Sequence, residues 1–274
     1  MVSIFECERR KDFGRSFADY LEDLKITKVT TSSGVDYTVF DYLNRCVRYW
    51  PHRCGATGFD NYLKQIGADI TAPRNDRDRL LILELLINLL YWAVKQDYMD
   101  DRNCDFSISF KKNDVENESN RLIKNAEYIL EQCCNMRIRE EQDDEFPKYH
   151  ITKRNASVDE AVISAPQLSD VLLGYYDVRN EDNVDAKKEA LTAIYSHMEP
   201  HRKEYKSLSC GAISEEFFAS INTFGIRHNT ESQKKMSAKK MAGLCDELFA
   251  MAVYVLQTSD VNKYRGDLKN LRDK

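Results

Sequence analysis

Leu80 to Val94 reads Leu-Leu-Ile-Leu-Glu-Leu-Leu-Ile-Asn-Leu-Leu-Tyr-Trp-Ala-Val and is the longest apolar run in the chain. A membrane-spanning helix needs about 20 apolar residues. This run is shorter, and it contains the polar residues Glu84 and Asn88. We therefore expect no membrane span here, but a helix that is buried on nearly all sides in the protein core.

Glu84 and Asn88 share one face of that helix, because residues four apart lie one above the other. A buried carboxylate is costly unless it meets a partner. Two interpretations follow from this cost. Glu84 is either a catalytic acid with a raised pKa, or one of two polar side chains that tie the helix to a neighbouring element.

The composition predicts a folded, mainly helical protein. The chain has 274 residues, of which 42% are hydrophobic and 31% are charged. This balance is typical of a globular chain that forms one large domain or two small ones. Only ten glycines and five prolines are present, which disfavours an all-β fold with its frequent turns and favours long helices.

A change in sequence character between Asp100 and Asn113 divides the chain into two helical parts. Apolar spacing predicts helices over residues 13–24, 35–49 and 117–134, and bracketing glycines predict a short helix over about 59–66. Alternation on both sides of the polar segment 142–147 predicts a β-hairpin near 136–153. The fold class expected is therefore mainly α, a helical bundle with a small inserted hairpin. We expect an N-terminal helical domain over 1–112 and a C-terminal helical domain, which contains the hairpin, over 113–274.

The cysteine and histidine patterns predict neither disulfides nor a metal site. Eight cysteines are scattered without any Cys-x-x-Cys pair, and the first residues lack the apolar segment of a secretory signal. Reduced thiols in a cytoplasmic protein are expected. His197 and His201 have a spacing that suits metal ligands, but Pro200 lies between them, and a helix end with exposed imidazoles is expected instead.

The net charge of −5 means that any contact with RNA requires a local basic patch. Lys234 and Lys235 follow the arginine-containing segment described next and are candidates for binding such a substrate. The alternative is that these lysines lie on a solvated helix face or at a favourable helix end.

Residues 222 to 229, Asn-Thr-Phe-Gly-Ile-Arg-His-Asn, carry the most distinctive polar cluster of the chain. Arg227 has a planar cation suited to phosphate oxygens. His228 can act as general acid or base, and Asn229 can donate or accept a hydrogen bond. These groups meet the needs of metal-independent RNA cleavage, provided that Gly225 places them in a loop or at a helix end rather than within one helix.

An arginine followed by a polar residue, late in a helical bundle, resembles the HEPN superfamily. Many members of that superfamily are metal-independent ribonucleases of bacterial defence and toxin–antitoxin systems, and they are usually active as dimers with a composite site. The resemblance implies that Arg227 binds phosphate and His228 is the acid or base. It further suggests Arg179, in the similar segment Tyr175–Asn180, as a second phosphate contact.

The chain departs from the HEPN pattern at one position that matters. The family motif places a histidine four to six residues after the polar residue that follows its arginine, whereas residues 232 to 234 are Ser, Gln and Lys. The second half also resembles bacterial proteins linked to phage abortive infection, through Met198-Glu-Pro-His-Arg-Lys and Phe224-Gly-Ile-Arg-His-Asn. That resemblance implies a setting of antiviral defence rather than a reaction.

Two functions of different classes remain open. One is a HEPN-like ribonuclease or its degenerate relative, without cofactor, that acts on RNA and forms a homodimer. The other is a non-catalytic helical module that binds a protein partner and acts as a sensor, an adaptor or an inhibitor. In the second case Arg227, His228 and Asn229 cap and tie helices. The absence of phosphate-loop, serine-hydrolase and zinc-protease motifs disfavours those enzyme classes.

Overall fold

A computed structural model describes residues 13–95, 110–141, 147–227 and 236–272, with side chains described as far as residue 259. The chain is mainly helical, with two small two-stranded antiparallel sheets in the described ranges. The predicted fold class is therefore confirmed. Contacts divide the chain into two compact units, one ending at Lys153 and the other beginning at Arg154.

In its described residues, the first unit consists of helices and two hairpins. In chain order its described elements are α1 (Phe13–Ile26), β1 (Lys28–Thr30), β2 (Asp36–Thr38), α2 (Val39–Cys46), α3 (Phe59–Gln65), α4 (Asp76–Lys95), α5 (Lys112–Ile129), β3 (Met136–Glu141) and β4 (Lys148–Lys153). A π-helical turn, Leu130–Cys134, extends α5. It ends at Asn135, whose left-handed conformation (φ 53°) directs the chain into β3.

Helix α4 is the centre of this unit, as the apolar run predicts. Every residue from Leu80 to Leu90 is buried, including Glu84 and Asn88. The helix packs against α1, α2, α5 and β4. No helix in the part of the chain that the structure describes combines the length and the apolar character needed to cross a membrane.

Glu84 and Asn88 tie α4 to strand β4, which confirms the second interpretation of this pair. The backbone N–H of Ile151 donates to Glu84 Oε2 over 2.8 Å. The Asn88 amide accepts from the backbone N–H of Tyr149 over 2.9 Å and donates to the Tyr149 carbonyl over 2.6 Å. Both polar side chains thus find backbone partners inside the core.

These hydrogen bonds can form together because the spacing of Glu84 and Asn88 along α4 matches the spacing of Ile151 and Tyr149 along β4. Residues four apart in a helix rise about 6 Å along its axis, and residues two apart in a strand are separated by about 6.7 Å. Glu84 and Asn88 therefore reach Ile151 and Tyr149 in order along β4. In an antiparallel pair, alternate residues direct their backbone groups away from the partner strand, so these side chains complete the outer edge of β4.

The N-terminal limit of the second helix was predicted wrongly. The apolar spacing from Val35 indicated a helix, but residues 36–38 form strand β2, and α2 begins at Val39. The side chain of Thr38 accepts a hydrogen bond from the backbone N–H of Asp41 over 3.1 Å and so caps the helix at its true start. Pairing of β2 with β1 supplies backbone hydrogen bonds that the periodicity could not reveal.

The hairpin lies where the sequence predicts it, with β3 pairing antiparallel to β4 and Ile138 opposite Ile151. Its contacts join it to the first unit, because α4 supplies the tie described above. The contacts therefore divide the chain after the hairpin, whereas the change in sequence character had placed the boundary near residue 112.

The second unit is mainly helical in its described residues. Its elements are α6 (Ala156–Ser164), α7 (Ser169–Gly174), α8 (Val184–Met198), α9 (Arg202–Ser207), α10 (Gly211–Thr223) and α11 (Ala238–Arg272), with one-turn 3₁₀ helices at Pro166–Leu168, Val178–Asn180 and Glu199–His201. Helix α11 packs against α6, α8 and α10. The core includes Leu191, Phe217 and Phe249, each fully buried.

Replacing Asn88 with alanine should destabilise the protein by roughly 2–4 kcal/mol, because it strands a buried backbone N–H and a buried carbonyl of Tyr149. Urea unfolding followed by circular dichroism measures this change. The matched control is Asn120→Ala on α5, where the side chain is exposed. Equal stability of the two variants would contradict the role of the tie.

Candidate functional site

The predicted site segment begins at a helix end. Helix α10 stops at Thr223, and Gly225 adopts a left-handed conformation (φ 72°) that glycine reaches without a steric penalty. The backbone N–H of Ile226 then donates to the Ile221 carbonyl over 3.3 Å. This six-residue closure is a Schellman cap. Gly225 therefore ends α10, and Ile226 is buried against the unit.

Arg227, the first polar residue after this cap, is held by residues of the preceding helical segment. Its Nη1 lies 3.3 Å from each carboxylate oxygen of Glu199. Its guanidinium carbon lies 4.6 Å from the centroid of the Tyr195 ring, within the range of a cation–π contact. Tyr195 also donates to Glu199 Oε1 over 2.8 Å. We call Tyr195, Glu199 and Arg227 the Arg227 cluster.

The charge of Glu199 is stabilised inside this cluster. The Tyr195 hydroxyl, first, and the Arg227 cation hold the pKa of Glu199 below its usual range, although partial desolvation opposes them. The Glu199 carboxylate is therefore ionised near neutral pH. It offsets the charge of Arg227, whose side chain is 30% exposed.

A second cation–carboxylate group lies on the neighbouring turn. Arg202 donates from Nε and Nη2 to the two oxygens of Glu215 over 3.0 and 3.2 Å, and its guanidinium carbon lies 4.9 Å from the centroid of the Phe218 ring. Arg202, first, and Lys206 lower the pKa of Glu215, although desolvation opposes this. The motif Met198-Glu-Pro-His-Arg-Lys thus supplies Glu199 and Arg202 to two ion pairs.

The arrangement is suited to holding helices together more than to holding an anion. A phosphate that approached Arg227 would have to displace Glu199 or accept its negative charge nearby. An arginine whose face covers an aromatic ring and whose edge meets a carboxylate has already used much of its binding capacity. Arg227 therefore links the end of α10 to Tyr195 on α8 and to Glu199 just beyond that helix.

The remaining sequence-predicted site residues divide into two groups. Arg179 lies in the one-turn helix Val178–Asn180, which packs against α8. His228, Asn229, Lys234 and Lys235 lie outside the residues that the structure describes. Arg227 is thus the member of the predicted catalytic trio whose surroundings are known.

His197 and His201 lie at the end of α8, as the position of Pro200 predicts. Helix α8 ends at Met198, and a 3₁₀ turn follows over Glu199–His201. Burial, first, and the neighbouring His201 lower the pKa of His197. Within the described ranges, no group of three or more histidine, cysteine, aspartate or glutamate side chains is placed to hold a metal ion.

Sequence reasoning missed a buried lysine in the second unit. Lys187 on α8 is only 7% exposed, and its Nζ donates to Asp246 on α11 over 2.9 Å. Tyr175 donates to the same carboxylate oxygen over 2.9 Å, and its ring stacks on Phe249. Burial, first, and Asp246 raise the pKa of Tyr175. The available signal was Asp246 itself, an acidic residue within an otherwise apolar helical stripe.

Comparison of the chain with protein-family models, with curated proteins and with solved structures found no match. The function therefore has to be inferred from the residues themselves.

Glu199→Gln should lower the melting temperature at pH 7, because the amide keeps the shape of the side chain but loses its charge opposite Arg227. A carboxyl whose folded-state pKa is lowered stabilises the fold above its unfolded pKa of about 4.3 and loses that effect as the pH falls through the folded-state pKa. The difference from wild type should therefore vanish at acidic pH. Melting curves between pH 7 and pH 3 measure it.

The matched control is Glu189→Gln on the same helix, where the side chain is exposed. It should leave the melting temperature unchanged across this range. A Glu199→Gln difference that is as large at pH 3 as at pH 7 would show that the Arg227 cluster does not stabilise the fold through charge.

Proposed function

We propose that this protein acts by binding, as a non-catalytic helical module that engages a protein partner. The observation that carries the proposal is the engagement of Arg227, which pairs with Glu199 and covers the Tyr195 ring. The residue that sequence analysis assigned to phosphate thus serves to hold helices together.

Charge supports the same proposal. The chain carries a net charge of −5, and an RNA-binding surface would need cations that are not neutralised by the fold. Arg202 and Arg227 both pair with glutamates of their own unit, Glu215 and Glu199. An acidic helical protein with such pairs presents no strong attraction for a polyanion through these two arginines.

A second candidate function is a HEPN-like ribonuclease of a bacterial defence system, or a degenerate relative. One feature of the cluster favours it. The Arg227–Glu199 distances of 3.3 Å exceed the roughly 2.7–2.9 Å typical of a strong charge-assisted hydrogen bond. Glu199 and Arg227 are also partly exposed. An RNA phosphate that displaced this carboxylate would bind at Arg227, the residue that directly precedes His228 in the sequence.

Incubation of the purified chain with total RNA, with and without chelator, separates the two functions. We expect no cleavage by the wild type or by Arg227→Ala, and a lower melting temperature for Arg227→Ala because it loses its ion pair and ring contact. The ribonuclease function predicts instead that wild type cleaves RNA and that His228→Ala abolishes cleavage with nearly unchanged stability.

The binding function has a direct test of its own. Tagged full-length chain, purified from its source cells and treated with ribonuclease, should retain a stoichiometric protein partner. Reconstitution from the two purified proteins, followed by size-exclusion chromatography with light scattering, should reproduce the complex. Failure to reconstitute a complex, or loss of the partner on ribonuclease treatment, would contradict the proposal.

A further inference from the structure

A concave site lies in the first unit, in a groove lined by α1 and α5. Its volume is about 270 Å³, which is below the roughly 300–1,000 Å³ of sites for drug-sized molecules. The size therefore suits a single small group. The lining residues are Ser16, Asp19, Tyr20, Asp23, Asn125, Tyr128 and Ile129.

One carboxylate of the groove is fixed by its neighbours. Arg121 donates to both oxygens of Asp23 over 2.7 and 3.1 Å, and Asn125 donates to Asp23 over 3.4 Å. The hydrogen bond from Arg121 has the largest effect on the pKa of Asp23 and lowers it, whereas burial raises it by less. Asp23 is therefore ionised, and its charge is largely offset by the arginine.

A second carboxylate is left with its charge available. Asp19, one turn before Asp23 on α1, is 75% exposed and lies 4.0 Å from Nε of Arg15, which is 83% exposed. An ion pair this long between two exposed groups contributes little. Asp19 thus makes the mouth of the groove negative.

Tyr20 supplies a buried polar group beside these carboxylates. It is 3% exposed, and its hydroxyl makes no hydrogen bond to any residue that the structure describes. Burial, first, and the charge of Asp23 raise its pKa, while Arg121 opposes them. Tyr20 is also one of the residues that line the groove. A buried hydroxyl without a protein partner is costly.

The opposite wall is aromatic and aliphatic. Tyr128 on α5 is 67% exposed, an unusual exposure for so large a ring, and Ile129 follows it. The ring of a tyrosine attracts cations through its negative face. The groove thus combines a negative mouth, oxygen acceptors and a surface along which an alkyl chain can lie.

These features select among ligands. A phosphate or carboxylate would be repelled by Asp19 and Asp23. A guanidinium would find the bidentate face of Asp23 already taken by Arg121. An alkylammonium group fits, because it is a compact cation with three hydrogen-bond donors on an apolar stem.

We propose that this groove is a binding site for an alkylammonium group, as carried by a polyamine or by a lysine side chain. The ammonium group binds at Asp19 with the Tyr20 hydroxyl as a further acceptor, and the alkyl stem lies along Tyr128 and Ile129. The proposal uses residues of the first unit only. It is therefore tested independently of the Arg227 cluster and of the proposed function.

The test uses isotope-labelled full-length protein and n-butylammonium, with n-butanol as the uncharged probe, in low-salt buffer. Saturable NMR shifts of residues on α1 and α5 are expected with the cation and not with the alcohol. Binding should weaken as salt rises. Asp19→Asn should weaken binding about tenfold, because it removes the charge of the acceptor. Tyr128→Ala and Tyr20→Phe should weaken it less.

The matched control is Glu22→Gln, which removes an exposed carboxylate from the same helix outside the groove. Its affinity should equal that of wild type. Equal affinity of Asp19→Asn and Glu22→Gln, or no saturable shift with the cation, would overturn the proposal.

Two further probes distinguish the sources of the ammonium group. Binding of spermidine at least tenfold tighter than n-butylammonium identifies a free polyamine as the ligand. Binding of Nα-acetyl-lysine methylamide at least as tight as n-butylammonium, without that spermidine preference, identifies a lysine side chain of a partner protein. Shifts with either probe that persist unchanged in Asp19→Asn count against the site.

Discussion

A helix surrounded by other elements has no solvent to satisfy its polar side chains, and this constraint organises the first unit. Glu84 and Asn88 lie in the middle of α4, where each needs a partner. Strand β4 has the complementary need, because the backbone groups of Tyr149 and Ile151 lie on the edge that β3 does not cover. Three hydrogen bonds between α4 side chains and the β4 backbone satisfy both sets of polar groups. An exposed strand edge is also an aggregation hazard, and α4 removes it from this edge.

Local patterns were sufficient for the main helices and for the β3–β4 hairpin, but not for the β1–β2 hairpin or for the contacts between elements. The apolar run predicted α4, and alternation predicted β3 and β4, because both signals are periodic over a few residues. The partner of Glu84 is Ile151, 67 residues further along the chain, and no local period encodes such a pairing. The same limit explains the different boundary and the misplaced start of α2, where a strand pairing outweighed helical spacing.

For the candidate site as well, the sequence reveals the type of each residue but not its surroundings in the fold. A guanidinium next to an imidazole predicts phosphate chemistry, since both groups have the required charge and proton affinity. Whether Arg227 is open to a ligand depends on Glu199 and Tyr195, which precede it by about 30 residues. The groove residues were missed because Asp19 and Asn125 belong to distant segments, although the Asp19–Tyr20–Asp23 spacing on one helix offered a local hint.

Comparison of Arg227 with Asp19 suggests how binding groups can be separated from structural ones. Both are charged and reach solvent, yet the fold supplies Arg227 with a carboxylate and a ring, whereas among the described residues the charged partner of Asp19 is a distant, exposed arginine. A charge that the fold neutralises gains little from a ligand, because the ligand must first replace an existing partner. Asp19, in contrast, lies in a groove with a buried hydroxyl that lacks a described partner, so a ligand there can interact with both groups without replacing an existing contact. By this criterion the groove of α1 and α5 is better prepared for a ligand than the arginine that the sequence emphasised.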